Sequence, residues 1–440
     1  MNPLRWNDLE AARATPQISL AQRKVFHTQT LRKTINLVSF PAANFLALPC
    51  YLLTKPIGLI LKGDLSASDR FFVRPSPVGQ MLKRLQPGTD VEATDDVVLY
   101  ATFGRAADSG HWKIDVCGTV YGAGSVSLRK RLLLRLLQRV AKVQPTEAQR
   151  ELFEQRIRAF VAPTERGKRV ALRVADRVHT LQRRTRRNGQ FRGSIRLSPA
   201  DLDMLRDCGD LRDGLIKLDV LSSDGRATRS CVHAHLLDHE GISVISDIDD
   251  TIKVTDVHCR RALLENTFLR EYETIDGMAD VYRQWAQRGI AFHYVSSSPW
   301  QLYNSLAEMC QSSGFPGGSF HLRSFRLRDH MLRRILLIRR KGKAAVIRSL
   351  LKMFPRRQFI LVGDSGEADP EIYAKVARKR RHQVAAIFIR QFPGRPLSTE
   401  RMQKLYHELP AGTIRVFTCP SELPRDPAEN TVRLATVAKS

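Results

Sequence analysis

The chain lacks the features that would place it among disulfide-stapled, zinc-binding or base-stacking proteins. Its seven cysteines, at 50, 117, 208, 231, 259, 310 and 419, are odd in number and include no C-x-x-C pair. That speaks against a disulfide framework and a zinc site, and it suits a reducing compartment. Aromatic residues make up only 7% of the sequence, and no zinc finger or stacking motif accompanies its basic clusters, which disfavours nucleic acid as a partner. Acidic residues are scarce, with 44 Asp and Glu against 71 Lys and Arg. Long apolar runs are almost absent. The exception is Thr34 to Thr54, 21 residues without a charge between Arg32-Lys33 and Lys55. That length could span a bilayer. Pro41, Pro49, Asn36 and Asn44 instead favour a membrane-surface or re-entrant segment, with a buried core segment next and a true span last. A cleavable signal peptide is not expected, because 33 mostly polar residues precede the run.

At 440 residues and 43% hydrophobic content, the chain is long enough for two or three domains with a real core. The net charge of +27 is shared by both halves: Lys and Arg outnumber Asp and Glu by 39 to 24 in residues 1–240 and by 32 to 20 in residues 241–440. The excess thickens at Arg183, Arg184, Arg186 and Arg187, through Arg323 to Lys343, and at Arg378-Lys379-Arg380-Arg381. Such a surface attracts polyanions, and an anionic membrane leaflet is favoured over nucleic acid. A merely soluble cationic surface is the alternative for any one cluster.

Four regions are expected. Residues 1–90 form a lead containing the apolar run, and residues 91–230 a small β-rich domain. In the latter, short alternating runs at Val97 to Gly122 and Arg169 to Val220 are broken by turn signals such as Asn188-Gly189 and Asp224-Gly225. A helical hairpin from Ser127 to Phe160 interrupts it, with Leu132, Leu133, Leu136, Leu137 and Val140 as its apolar stripe. Residues 231–409 are expected to be a parallel sheet flanked by helices, and residues 410–440 a loosely ordered tail. Candidate strands of the sheet are Ile242 to Ser246, Ala291 to Val295, Phe359 to Val362 and Val384 to Ile389. Candidate helices are Met278 to Arg288, Trp300 to Gln311, Lys343 to Met353 and Pro370 to Arg380.

The chemistry is concentrated where these apolar runs end. Ser246-Asp247-Ile248-Asp249-Asp250-Thr251 sets two carboxylates and a hydroxyl in a D-x-D-x-T array. Downstream come Phe292-His293-Tyr294-Val295-Ser296, then Lys343 at the head of a periodic stretch, then Phe359-Ile360-Leu361-Val362-Gly363-Asp364 with Asp369 beyond it. In parallel α/β sheets such positions lie just past the carboxyl ends of the strands, so all four features can converge on one crevice. Hydrolysis of a phosphate monoester needs an in-line nucleophile, a proton for the departing alkoxide and compensation of the phosphoryl charge.

The order of these motifs resembles the haloacid-dehalogenase-like phosphohydrolases. Ser246 to Lys253, Tyr294 to Tyr303 and Leu361 to Tyr373 resemble, within them, the catalytic-domain family of the actin-patch phosphatidate phosphatase of fungi, over roughly Gly241 to Arg390. The resemblance implies a Rossmann-like α/β fold. It also implies Asp247 as a nucleophile forming an aspartyl-phosphate, Asp249 as the acid and then the base, and Thr251 as support for the loop. It further implies Mg²⁺ held by Asp247, the backbone carbonyl of Asp249 and Asp364. Ser296 and Lys343 would grip phosphoryl oxygens, and Asp369 would orient a water or Lys343. The implied reaction is conversion of phosphatidate to diacylglycerol and phosphate. An anionic phospholipid would then be the substrate, and the enzyme would be cytoplasmic and peripheral to a membrane. No long proline-rich tail is present, so adaptor recruitment of the fungal kind is not implied.

Plainer roles exist for each residue. Asp249 and Asp250 could cap a helix near Thr251, Ser296 to Ser298 could cap the helix from Trp300, Lys343 could be a solvated charge, and Asp369 before Pro370 could be a cap. Two other functions also fit parts of the pattern: a phosphatase of soluble phosphomonoesters or phosphoproteins, and a cationic lipid- or nucleic-acid-binding module with a vestigial site. Gaps of 44 residues between Thr251 and Ser296 and 46 between Ser296 and Lys343 leave no room for a full cap domain, so an open mouth is expected.

Overall fold

Strands that are apolar along their whole length must be covered on both faces, and here such strands form one parallel sheet between two layers of helix. The computed structural model describes residues 89–123, 146–324, 340–392 and 395–427. The lead with Thr34 to Thr54, the first part of the expected hairpin, the basic stretch at 325–339 and residues 428–440 lie outside the described residues.

Nine strands come first: β1 (Asp96–Leu99), β2 (Thr102–Ala106), β3 (Trp112–Tyr121), β4 (Ala171–Val174), β5 (Arg177–Thr180), β6 (Gln190–Leu197), β7 (Leu211–Arg212), β8 (Leu215–Leu221) and β9 (Ala227–Leu237). They form a single sheet in the order β1-β3-β2-β9-β8-β4-β5, with β6 on β3 and β7 on β8. Every pairing is antiparallel except β2 with β9. Helix α1 (Glu147–Val161) opens on a capping box, in which Thr146 and Gln149 each accept the other's backbone N–H. Helix α2 is Pro199–Asp207.

The parallel sheet consists of β10 (Ile242–Ser246), β11 (Ala291–Pro299), β12 (Gly318–Arg323), β13 (Gln358–Asp364), β14 (Val384–Arg390) and β15 (Ile414–Phe417). Their order is β12-β11-β10-β13-β14-β15, and all neighbours run parallel. Counted from β10 this is 3-2-1-4-5-6, the doubly wound arrangement whose winding reverses beside the first strand. Helices α3 (Arg260–Phe268), α4 (Met278–Gln287), α5 (Tyr303–Ser312), α6 (Arg340–Met353), α7 (Asp369–Lys379) and α8 (Thr399–Tyr406) connect the strands. Trp285, Tyr282, Phe292 and Phe388 belong to the core on one side of the sheet, and Leu350, Phe354, Phe359 and Ile387 to the core on the other. Among the described residues, no helix is long and apolar enough to cross a membrane.

The two sheets are joined, not merely tethered. Tyr100 stacks on Trp300 with ring centroids 4.0 Å apart, the Ala101 N–H donates to Tyr303 Oη at 2.8 Å, and the Phe320 N–H donates to Ala101 O at 3.1 Å. All described residues fall within one compact unit, Pro77–Ser440. The boundary expected at 230–231 falls inside β9, because the strand continues to Leu237 before the chain crosses to β10.

The tail expected from residue 410 is corrected as well. Ile414–Phe417 pairs with β14 as the edge strand, Leu423 is buried, and Trp285 Nε1 donates to Pro424 O at 2.9 Å. Pro420 is buried and opens a short 3-10 turn, Pro420–Glu422, instead of marking disorder. Phe417→Ala should therefore cost about 3–5 kcal/mol in urea unfolding, as for a buried aromatic; a cost near zero would place this strand outside the fold.

A buried polar chain also links β11 and β12 of the parallel sheet. Ser319 Oγ hydrogen-bonds both His293 Nδ1, at 2.6 Å, and His321 Nε2, at 2.9 Å. Burial holds His293 well below the usual imidazole range and brings His321 down to about 4. Both folded values lie below the unfolded value of about 6.5, so this contribution to stability is complete above that pH and is lost as pH falls toward about 4. The urea midpoint should drop across that window, with a shallower slope in His293→Gln; identical slopes would exclude these groups as the cause.

Candidate active site

Asp247 follows β10 directly, Asp364 ends β13 and Ser296 lies near the end of β11, so adjacent parallel strands deliver three side chains to one edge of the sheet. Lys343 comes from the first turns of α6 and Asp369 begins α7. The structure brings Asp247, Lys343, Asp364 and Asp369 together. Lys343 Nζ lies 2.9 Å from Asp247 Oδ1, 2.6 Å from Asp369 Oδ1 and 3.4 Å from Glu367 Oε2. Asp247, Asp364 and Asp369 each present a carboxylate oxygen within 4.8 Å of the others.

These groups are sealed from water: Asp364 and Asp369 are 0% exposed and Asp247 1%. Burial pushes the Asp247 carboxyl well above its usual range; Lys343 opposes this, and Asp369, Glu367 and Asp364 add to it. Burial, with Asp369 and Glu367, does the same to Asp364. Burial raises Glu367 to about 7. Burial works against the Lys343 charge, but Asp247, Asp369 and Glu367 outweigh it and hold the ammonium well above its usual value. One ammonium thus faces four carboxylates.

Two oxygens of this cluster, Asp247 Oδ2 and Asp364 Oδ2, are buried with no hydrogen-bond partner. The other oxygen of Asp364 accepts the Gly366 and Glu367 N–H groups at 2.6 and 3.0 Å, which fixes the carboxylate. Oxygen-only donors, excess negative charge and orphaned oxygens fit a hard divalent cation such as Mg²⁺. Two glycines make the approach possible. A Cβ on Gly363 would fall 2.4 Å from Asp369 Oδ2, and one on Gly366 would fall 2.4 Å from His258 Nε2.

Asp249 stands apart from this cluster. Its Oδ2 accepts from Ser296 Oγ at 2.9 Å and Ser298 Oγ at 2.8 Å, and its Oδ1 accepts from Thr255 Oγ1 at 3.0 Å. Lys253 Nζ lies 3.6 Å from the same Oδ1. Burial would raise this carboxyl, but Lys253 and the three hydroxyls outweigh it and hold Asp249 below its usual value. Ser296, expected to grip phosphate, donates to Asp249 here. Thr251 is fully buried, and its Oγ1 has no partner.

The capping alternatives do not describe these residues. No helix starts near Thr251. Asp250, at φ 55°, accepts the N–H groups of Thr255, Asp256 and Val257, each at 2.8 Å, and so folds the loop after the motif. Neither α5 nor α7 has a side-chain cap: Ser296 and Ser298 face Asp249, and Asp369 binds Lys343 and Tyr373.

Residues that sequence reasoning missed also line the site. Glu367 was hidden in a loop motif, and Lys253 and Thr255 follow the D-x-D-x-T array. Arg390, at the end of β14, donates to Asp250 O at 2.9 Å. A charge ending an otherwise apolar strand was the one available signal for Arg390, and a buried partner for Asp249 was the missing reason to single out Lys253.

Residues 242–391 match the family model of the catalytic domain of phosphatidate phosphatase APP1. This segment belongs to that family. Over 155 residues the chain is 38% identical to phosphatidate phosphatase APP1 of Saccharomyces cerevisiae, covering 34% of this chain and 26% of that protein. A further 159 residues' alignment is 35% identical to an uncharacterized protein of Schizosaccharomyces pombe, covering 35% and 26%. The chain therefore spans about a quarter of the length of the curated relatives it matches. Among solved structures, cytosolic 5'-nucleotidase IIIB bound to cytidine aligns at 10% identity and a TM-score of 0.27, over 45% of this chain and 88% of that one, a likeness too slight to bear on the site.

If the APP1-family carboxylates seat a divalent ion, Mg²⁺ should raise the melting temperature of the wild type by a few degrees, as roughly hundredfold-saturating binding does. Asp364→Asn should be no less stable without metal, since it removes one of several crowded charges, and should show no Mg²⁺ shift. Equal shifts in both proteins would exclude this set as the ion's seat.

Proposed function

We propose that the chain is a metal-dependent phosphatase acting on phosphatidate, releasing diacylglycerol and phosphate through an aspartyl-phosphate at Asp247. The observation that carries the reading is the cluster of four buried carboxylates around Lys343, with two carboxylate oxygens left without partners, inside a segment of the APP1 catalytic-domain family. Asp247, Asp364 and Asp369 would hold Mg²⁺, together with the Asp249 carbonyl implied by the motif. Bound there, the ion supplies charge compensation for the phosphoryl group and keeps Asp247 ionised.

The chain's own residues account for the rest. Lys343, held against Asp247 and Asp369, orients the nucleophile and is the fixed positive charge nearest to it. An Asp247 oxygen bonds to phosphorus as the bond to the leaving alkoxide breaks. Asp249, held ionised by Lys253 and three hydroxyls, is set as the base that takes a proton from the water cleaving the acyl phosphate. A phosphate dianion arriving beside it raises its proton affinity, so in the first step it carries the proton that the alkoxide receives. Ser296 and Ser298 hold its carboxylate in place between the two roles. The excess of basic residues supports action at an anionic membrane surface, with the protein cytoplasmic and peripheral.

With Mg²⁺ present, the full chain should release phosphate from phosphatidate vesicles faster than from a small soluble phosphomonoester. Asp247→Asn should abolish release, and Asp249→Asn should lower it by about 10²- to 10⁴-fold, both with unchanged circular dichroism. Full activity in Asp247→Asn would sink the mechanism, and a preference for the soluble ester would sink the lipid substrate.

A further inference from the structure

The basic run at the end of α7 has no part in the mechanism above, and the fold divides it. Arg378 is used structurally, donating to the His407, Lys404 and Leu405 carbonyls at the end of α8. Lys379 and Arg380 instead join Lys375 and, from α6, Arg348 along a groove of about 790 Å³ between α6 and α7. All four are exposed, and among the described residues none has an acidic partner within ion-pair distance. The acid on this groove, Glu371, is already committed to Arg401 of α8 through two hydrogen bonds of 2.6 and 3.0 Å. The floor is apolar, from Ile372 and Val376. The groove begins at Ala344 and Ala368, the chain neighbours of Lys343 and Asp369.

From this arrangement we propose that the α6–α7 groove is a docking site for the head groups of anionic phospholipids. Four uncompensated cations over an aliphatic floor match an anionic group rooted in a hydrophobic body. Among the described residues no aromatic side chain lines the groove, so they offer no stacking surface of the kind that a single-stranded nucleic acid would use. Its volume lies in the range of ligand sites and far exceeds what a free phosphate would fill. Docking rests on charge and shape alone. Its consequence, that lipid head groups are held beside the Asp247 site, rests on the phosphatase reading.

The test uses the full chain with phosphatidylcholine vesicles, with and without phosphatidylserine, in co-sedimentation at two salt concentrations. Phosphatidylserine should raise partition, and added salt should lower it. Lys375→Ala/Lys379→Ala should reduce partition by about fivefold per side chain, the usual worth of one basic residue near an anionic surface. Lys375→Arg/Lys379→Arg should retain it, which separates charge from folding damage. The double variant Arg186→Ala/Arg187→Ala, in another exposed basic cluster, should have the smaller effect. Equal losses in the two alanine pairs, no loss in either, or no retention by the arginine pair would each overturn the groove assignment. Absence of phosphate release by the wild type would sink the catalytic reading and leave this result standing.

Discussion

One buried ammonium shared among several carboxylates is the constraint around which the rest is arranged. Asp247, Asp369 and Glu367 all lie within 3.4 Å of Lys343 Nζ, and Asp364 sits beside them. In water such a group would spread apart; in a sealed site it must be held by covalent geometry and hydrogen bonds, because like charges at low dielectric repel strongly. The parallel sheet supplies that restraint. β10 and β13 are hydrogen-bonded neighbours, with Ser246 paired to Val362, so the residues that follow them cannot separate. Backbone N–H groups pin Asp364, and Tyr373 holds Asp369 from behind at 3.1 Å. The remaining charge imbalance is what suits the site to the cation proposed for it.

The second carboxylate of the motif shows how two residues can part company in chemistry. Asp247 and Asp249 are two positions apart, yet their proton affinities move in opposite directions. Burial, with Asp369, Glu367 and Asp364 beside it, outweighs Lys343 and raises Asp247, whereas Lys253 and three hydroxyls outweigh burial and lower Asp249. Under the proposed mechanism, opposed shifts of this kind would separate the nucleophile from the acid–base group on a single loop. The upstream half contributes to this division. Arg156 of α1 lies 3.8 Å over the Tyr272 ring, and Lys253 lies 4.7 Å over the same ring. The Tyr100–Trp300 stack braces the segment just after Ser298. Helix α1 and the β1–β2 connection of the upstream half therefore reach the neighbours of both supports of Asp249.

Much of the parallel layer was legible because its strands are buried on both faces, which writes them as continuous apolar runs: β10, β13 and β14 fall within two residues of their expected limits. β12 and β15 were not legible. β12 opens in a Gly-Gly-Ser stretch, and β15 is four residues long between a turn and a proline, so each is specified by the edge it joins more than by its own composition. The domain limit at 230–231 failed for a related reason. A strand of one sheet that runs almost directly into a strand of the other leaves no loop-rich linker to read.

The sequence alone determined which residue types end the strands, and hence that Asp247, Ser296 and Asp364 would gather at one edge, because a parallel sheet has one carboxyl end. Lys343 and Asp369 were singled out by the order of the motifs and by the family resemblance, since each alone could have been a solvated charge or a cap. Only the tertiary structure decided how these charges are shared: that Ser296 serves Asp249, that Glu367 joins the Lys343 cluster, that Lys253 is buried beside Asp249, and that Asp250 folds a loop instead of starting a helix. Order along the chain fixes which strand a residue follows. The proton and charge balance of a site depends on distances of a few ångströms between segments far apart in the chain, and those distances exist only after packing.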